Sequence, residues 1–298
     1  MNQATEILSV DLLDQHLSLV EALKSLAASL GLEFVLHYLL DLTWIISQLG
    51  EIKGKHILDA GAGTGLMQWH LAQNGAEVIS VDRMSRADLP LRFRSRFQVQ
   101  GLRSEDLLPA SRVIGSNVAI HSQGKHISPV KKTLLRLRDV YYLVKRPSAP
   151  GRVIIYNQDL TNLEHIADNS MDAVVAVSAL EHNTPEGLQA VVKEITRVLK
   201  PGGVLRATLG AGKDQDWWHE PSSGWCYTDA SLRRLFDLPP DTPSNYARHD
   251  ELLATLRNCP ELRDNLAGFY KQSDQNGMPW GVWDPQYQPV GVCKIKSG

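Results

Sequence analysis

The stretch from His56 to Asp82 constrains the fold most. An apolar strand pattern, His56 to Ala60, runs into the loop Asp59-Ala60-Gly61-Ala62-Gly63-Thr64-Gly65. A helical pattern follows near Thr64 to Asn74, then a second strand pattern from Glu77 to Asp82. Further strand patterns lie at Arg152 to Asn157, Asp172 to Ala179 and Val204 to Leu209. Between the last two, Thr184 to Lys200 carries Leu188, Val191, Val192, Ile195 and Leu199 on one helical face, and Pro201-Gly202-Gly203 stops it. Strands alternating with helices imply an α/β fold, with a parallel sheet covered on both faces.

The chain has 298 residues, 43% hydrophobic and 21% charged, enough for one large domain with additions. This composition excludes disordered, collagenous and coiled-coil classes. Residues 1–50 read as an N-terminal helical cap of two helices, and residues 51–298 as the main domain. The densest apolar run, Phe34 to Leu49, is interrupted by His37 and Asp41, so no membrane span is expected. Toward the C-terminus, Thr228 to Leu238 and His249 to Tyr270 read as helical, with a break near Pro260. Val290 to Ile295 reads as a final strand without an assigned partner. Cys226, Cys259 and Cys293 lack metal-ligand spacing, and no signal segment is recognisable. The expectation is a cytoplasmic protein.

The glycine loop allows a tight turn and close approach of a ligand to the backbone. Asp82, at the end of the second strand, suits the two hydroxyls of a ribose. Asp159 and Leu160, after the third strand, suit the edge and face of an adenine. The spacing Gly-x-Gly-x-Gly differs from the dinucleotide fingerprint, which argues against NAD.

These pieces, with Ser178-Ala179-Leu180-Glu181-His182 and Leu199-Lys200-Pro201-Gly202-Gly203, resemble the class I S-adenosylmethionine-dependent methyltransferases. The resemblance covers roughly residues 53–82 and 152–210. It implies a Rossmann-like sheet of seven strands with helices on both faces and the last strand antiparallel. It also implies S-adenosyl-L-methionine as cofactor and S-adenosyl-L-homocysteine as product. Carried over, Asp59 and Gly61 would meet the methionine part, with Ala62, Gly63, Gly65 and Ser178 around it. Asp82 would hold the ribose, Asp159 and Leu160 the adenine, and Met84 would cover the other adenine face.

Methyl transfer to a hydroxyl needs a base, because alcohols are poor nucleophiles. Glu181-His182 lies at the carboxyl end of the fourth strand, where open α/β sheets place their sites. His182 is the first candidate base, weighed against a role in lining the pocket, and His219 is the second. Five of the seven tryptophans fall between Trp217 and Trp283 and suit either a sugar or aromatic acceptor or a core. The expected acceptor is an oxygen on a small molecule or glycan precursor. The rivals are N- or C-methylation of a lipid-like or quinone-like substrate at the membrane, and a non-catalytic cofactor-binding subunit. His121 and His126 read as surface histidines, and no metal is expected.

The net charge of −2 hides an imbalance. Residues 83–152 hold fifteen Lys/Arg and four Asp/Glu, a net of +11, whereas the remainder carries −13. This block coincides with a long insert, residues 83–151, between the second and third strands, where one short crossover is usual. Leu91 to Phe97 reads as a strand, with arginines on one face and phenylalanines on the other. Val130 to Arg146 reads as a basic amphipathic helix with the stripe Val130, Leu134, Leu137, Tyr141 and Val144. Three readings compete: a lid that packs its stripe on the sheet and turns arginines toward an anionic acceptor, a peripheral contact with anionic membrane through residues 91–97 and 130–146, and an ordinary packed helix. Nucleic-acid binding is disfavoured, because aromatics do not interleave with the basic residues.

Overall fold

The computed structural model describes residues 3–114, 128–268 and 283–298. Among them, ten strands join one sheet: β1 (Ala4–Ile7), β2 (His56–Ala60), β3 (Glu77–Asp82), β4 (Gln98–Gly101), β5 (Arg152–Asn157), β6 (Met171–Val177), β7 (Leu199–Ala211), β8 (Trp217–His219), β9 (Gly224–Tyr227) and β10 (Pro289–Ile295). The main path runs β4-β5-β3-β2-β6-β7-β10-β1. It is parallel from β4 to β7, and β10 is antiparallel to both neighbours. The β8–β9 hairpin attaches to the carboxyl end of β7. The expected α/β architecture with an antiparallel last strand is present.

Side chains alternate across the sheet and feed two apolar layers. Ile57, Val78, Val153 and Val175 enter one layer. It is covered by α2 (Leu17–Leu30), α3 (Tyr38–Ser47) and α4 (Met67–Gln73). Leu58, Ile79, Ile154 and Val174 enter the other, beneath α7 (Pro185–Val198) and α8 (Asp229–Leu235). Thr184 caps α7 by accepting from Gly187 N at 3.1 Å, with Pro185 in its first turn. Thr228 caps α8 through Ser231 N at 3.3 Å. After α8, the helical stretch that begins at His249 divides into α9 (His249–Arg257) and α10 (Pro260–Asp264), broken at the expected proline.

The N-terminal reading needs two corrections. Residues 1–50 contain three helices, α1 (Asp11–Gln15), α2 and α3, and Ala4–Ile7 is a strand rather than part of a cap. It pairs with β10, supplying the partner that the C-terminal pattern lacked. Four residues are too few for a period to register in the sequence. Where α3 crosses β10, a Cβ at Gly291 would overlap the Trp44 indole, so that glycine permits the close approach.

The insert is also different from the expectation. Leu91–Arg94 is a short helix, α5, and the strand is the next segment, β4, which extends the sheet beside β5. Phe93 and Phe97 stand four apart, a spacing that keeps two residues on one face in either a strand or a helix. Both are buried against Trp69, with ring centroids at 4.7 and 5.0 Å. The arginines between them hold the insert down. Arg94 donates to the carbonyls of Leu89, Leu108 and Ala87, and Arg96 to Gln73 Oε1 and Ser29 Oγ. The expected basic helix is α6 (Pro129–Val144), capped by Ser128. Its stripe does not pack on the sheet: Val130, Leu134, Leu137, Tyr141 and Val144 are all exposed, and the helix docks through Leu135 and Asp139.

Candidate functional site

The glycine loop leaves β2 at the carboxyl edge of the sheet. Gly61 and Gly63 have φ of +72° and +48°, conformations that side chains rarely adopt. A Cβ at Gly61 would overlap that of Ala179, so the loops after β2 and β6 close against each other there. Gly61 N and Ala62 N donate to Val81 O at 2.9 and 3.0 Å, Gly63 N to Asp82 Oδ2 at 2.7 Å, and Gly65 N to Ala62 O at 2.9 Å. Helix α4 begins only at Met67, later than the expected Thr64. With these four amides already engaged, the loop offers a ligand close approach rather than a fan of free donors.

Arg86 underlies the loop, and sequence reasoning missed it by counting it with the basic insert. It is 3% exposed. Its guanidinium donates to Ser80 Oγ at 2.5 Å, Ser80 O at 2.7 Å, Tyr156 O at 3.2 Å and Gly63 O at 3.3 Å. This one cation ties the loop to β3 and β5. It also acts electrostatically on Asp59 and Asp82.

Three carboxylates stand at consecutive strand ends. Asp59 is buried, and burial pushes its carboxyl up to about 7 despite the opposing field of Arg86. Its Oδ2 is buried with no protein partner, an acceptor left for a cationic ligand group. Asp82 accepts Gly63 N on one oxygen and Met84 N (2.8 Å) on the other, and a carboxylate offers about four lone-pair sites, so capacity for two hydroxyls remains. Asp159 takes Thr161 N at 2.8 Å and Thr161 Oγ1 at 2.6 Å on Oδ1, and these bonds lower its pKa.

At the end of β6, Ser178 adopts φ of +41°. Its hydroxyl lies 3.4 Å from Asp41 Oδ2, and Asp41 pairs with His37 Nδ1 at 2.7 Å, both buried. Helix α3 thus delivers a buried polar pair to the site. The signal was the two polar residues four apart that break the apolar run at Phe34 to Leu49.

Glu181 and His182 follow in a short 3-10 turn. Glu181 is buried, its Oε2 lacks a partner, and desolvation pushes its carboxyl up to about 7. His182 is exposed, and its Nδ1 lies 2.8 Å from the carbonyl of Ser223. A carbonyl only accepts, so Nδ1 carries the proton and donates it, and Nε2 of the neutral ring keeps its lone pair. The turn 220–224 organises all three expected catalytic residues. Ser223, at φ of +51°, presents its carbonyl to His182; Ser222 Oγ meets His219 Nδ1 at 2.7 Å; and a Cβ at Gly224 would sit 3.0 Å from Glu181 Cγ. No local pattern marks this turn, because it is defined by a serine in a left-handed conformation.

These elements enclose a cavity of about 660 Å³. Asp59, Gly61, Ala62, Gly63, Gly65, Asp82, Met84, Asp159, Leu160 and Ser178 all line it, and so does His182. Glu181 and His219 do not: Glu181 is buried, and the His219 ring is buried against Tyr287, where desolvation lowers its pKa. The N-terminal segment also lines it, with Leu32, Phe34, Val35, Tyr38 and Leu42 beside the single acid Glu33. Among the described residues, Arg83 is the one arginine in the wall; Arg92, Arg94 and Arg96 are absent from it, and so are Trp217, Trp218, Trp225 and Trp283. Among the described residues no cluster of His, Cys, Asp and Glu could hold a metal ion, and the three cysteines are free and buried. No described helix is long and apolar enough to cross a membrane. His121, His126 and Trp280 lie outside the described residues.

The cavity fits the expected cofactor. The orphaned Asp59 oxygen suits an ammonium, Asp82 suits a ribose, and the loop at Gly61 and Gly63 leaves room for close approach.

A family model described as a methyltransferase domain matches residues 137–207, the span that carries β5, β6, α7 and most of β7. No curated protein sequence matches the chain. Among solved structures, the chain is similar to the [4+2]-cyclase SpnF, with 17% identity, a TM-score of 0.47, and 95% of this chain and 94% of that one covered. It is also similar to a putative sarcosine dimethylglycine methyltransferase from Galdieria sulphuraria, with 16% identity, a TM-score of 0.42, and 94% and 86% covered. A third is the 1,6-didemethyltoxoflavin-N1-methyltransferase of Burkholderia thailandensis, with bound 1,6-didemethyltoxoflavin and S-adenosylhomocysteine, at 13% identity, a TM-score of 0.41, and 87% and 77% covered. Over residues 137–207 the chain thus matches a methyltransferase domain, and that match lies within a parallel sheet closed by an antiparallel strand, beside an acid-lined glycine loop.

Proposed function

We propose that the chain is a class I S-adenosyl-L-methionine-dependent methyltransferase, that it methylates a hydroxyl oxygen of a small molecule with an apolar body, and that His182 is the base. The observation that carries this reading is the Ser223 carbonyl on His182 Nδ1, which leaves Nε2 as a proton acceptor at the cavity wall. S-adenosylmethionine supplies an electrophilic methyl group on a sulfonium. The protein supplies alignment and proton removal, the latter worth 10²–10⁴-fold in typical cases. Buried Glu181 lies next to His182 in the chain, and His182 acts electrostatically on its carboxyl. The apolar N-terminal wall supports an apolar acceptor body. An anionic acceptor draws no support from Arg92, Arg94 and Arg96, and stacking on a sugar draws none from the four described tryptophans. The same wall favours the second reading, N- or C-methylation of a lipid-like or quinone-like acceptor.

The test uses methyl-labelled S-adenosylmethionine with an extract of small molecules and lipids, the product being located by mass spectrometry. An ether methyl, with turnover reduced ~10²–10⁴-fold in His182→Ala at unchanged S-adenosylhomocysteine affinity, is expected. A methyl on nitrogen or carbon replaces O-methylation with the second reading. Cofactor binding without incorporation into any fraction would favour a non-catalytic subunit.

A further inference from the structure

We propose that α6 is an interfacial anchor that docks the enzyme on an anionic lipid surface. Among the described residues, the helix is held from one side only. Leu135 and Asp139 face inward with Tyr142 beside them, and α6 lies across α5. At about 100° per residue, Val130, Leu134, Leu137, Val140, Tyr141 and Val144 fall within a sector roughly 120° wide on the opposite side. All six are exposed, by 48% to 74%. That apolar strip is turned away from the protein, not toward the sheet.

The charges identify what covers it. The same geometry places Lys131, Arg138 and Lys145 along one border of the strip and Arg136 beyond the other. From Pro129 to Arg146 the only acid is Asp139, and it is buried. An outward apolar strip bordered by cations, with no exposed carboxylate, matches a helix lying in the headgroup region of an anionic bilayer. A second copy fits poorly, because strip-on-strip pairing would bring two sets of cations together. Residues 91–97 take no part in the surface: Phe93 and Phe97 are buried, and Arg94 and Arg96 are tied to the fold.

Sedimentation of the full chain with vesicles tests the proposal, comparing phosphatidylcholine alone with phosphatidylcholine containing phosphatidylserine. Binding to the anionic vesicles only, weakening as salt rises, is expected. Lys131→Gln, Arg138→Gln and Lys145→Gln together should weaken it on the order of 100-fold. Leu134→Asp with Leu137→Asp should abolish it, while both variants keep wild-type S-adenosylhomocysteine affinity, which reports an intact fold. Failure to sediment with anionic vesicles overturns the proposal, as does equal binding to neutral vesicles. A concentration-dependent dimer that the Leu134→Asp/Leu137→Asp variant disrupts, without vesicle binding, would assign the strip to self-association.

Discussion

Asp59 occupies a place where ionisation is resisted until a cation arrives. Its carboxyl is raised to about 7 by burial, and its Oδ2 has no protein partner. A raised acid stabilises the fold fully below its unfolded value near 4 and loses that contribution as pH rises through about 7. Cofactor binding should reverse the balance, because an ammonium beside Oδ2 favours the ionised form. S-adenosylhomocysteine affinity, measured by calorimetry, should therefore increase as pH rises through about 7, with release of a proton. In Asp59→Asn the affinity should be weaker and flat across that range; an unchanged pH dependence would remove Asp59 from the contact. The carboxylates at the strand ends were legible in the sequence because each lies at or just past the end of a strand pattern. The His37–Asp41 pair showed only as two breaks in an apolar run, which does not say that the two residues meet beside Ser178. The Ser223 carbonyl was not legible, because it is a backbone atom placed by tertiary context.

The insert is the element that the sequence most misrepresents. Its charge density reads as a surface property, yet its first half is turned inward. Arg94 satisfies three carbonyls, and Arg103 forks onto buried Asp106, which also accepts Asn157 N at 2.9 Å. Arg86 braces the glycine loop from below. Composition counts charges without showing which are paired, and the two-faced spacing of Phe93 and Phe97 conceals whether α5 is helix or strand. Removing Arg86 leaves Asp59 and Asp82 without their common cation and takes one donor from each of four acceptors. Arg86→Ala should cost about 3–5 kcal/mol of stability in urea unfolding. Arg86→Lys keeps the charge but cannot reproduce the planar fork, so it should recover only part of the loss. A full recovery by lysine would mean that charge alone matters here and that the fork to Ser80 and Tyr156 does not.

Across the molecule, the two termini close the sheet together. The alternation of strands and helices made the parallel core readable from the sequence, but β1 pairs with a strand nearly 290 residues away, and no local period signals that. β1 is also fixed from its other side. Asn245 exchanges hydrogen bonds with Ile7 N at 2.7 Å and Ile7 O at 2.9 Å, and Thr5 Oγ1 donates to Asp229 at the start of α8. Ile7 and Leu8 are buried at 0% and 1% exposure. Deleting residues 1–8 should therefore remove about 3–6 kcal/mol, from burial of two large apolar side chains at about 1.5–3 kcal/mol each. That is a large share of the roughly 5–15 kcal/mol typical of a native protein. The deletion also bares β10 as a sheet edge whose residues Val290 and Val292 are wholly buried in the intact chain, which invites edge-to-edge pairing. The truncated chain should show a lower urea midpoint and early elution on a sizing column. Restoring residues 3–8 alone should recover both, whereas an unchanged midpoint after deletion would place β1 outside the cooperative core.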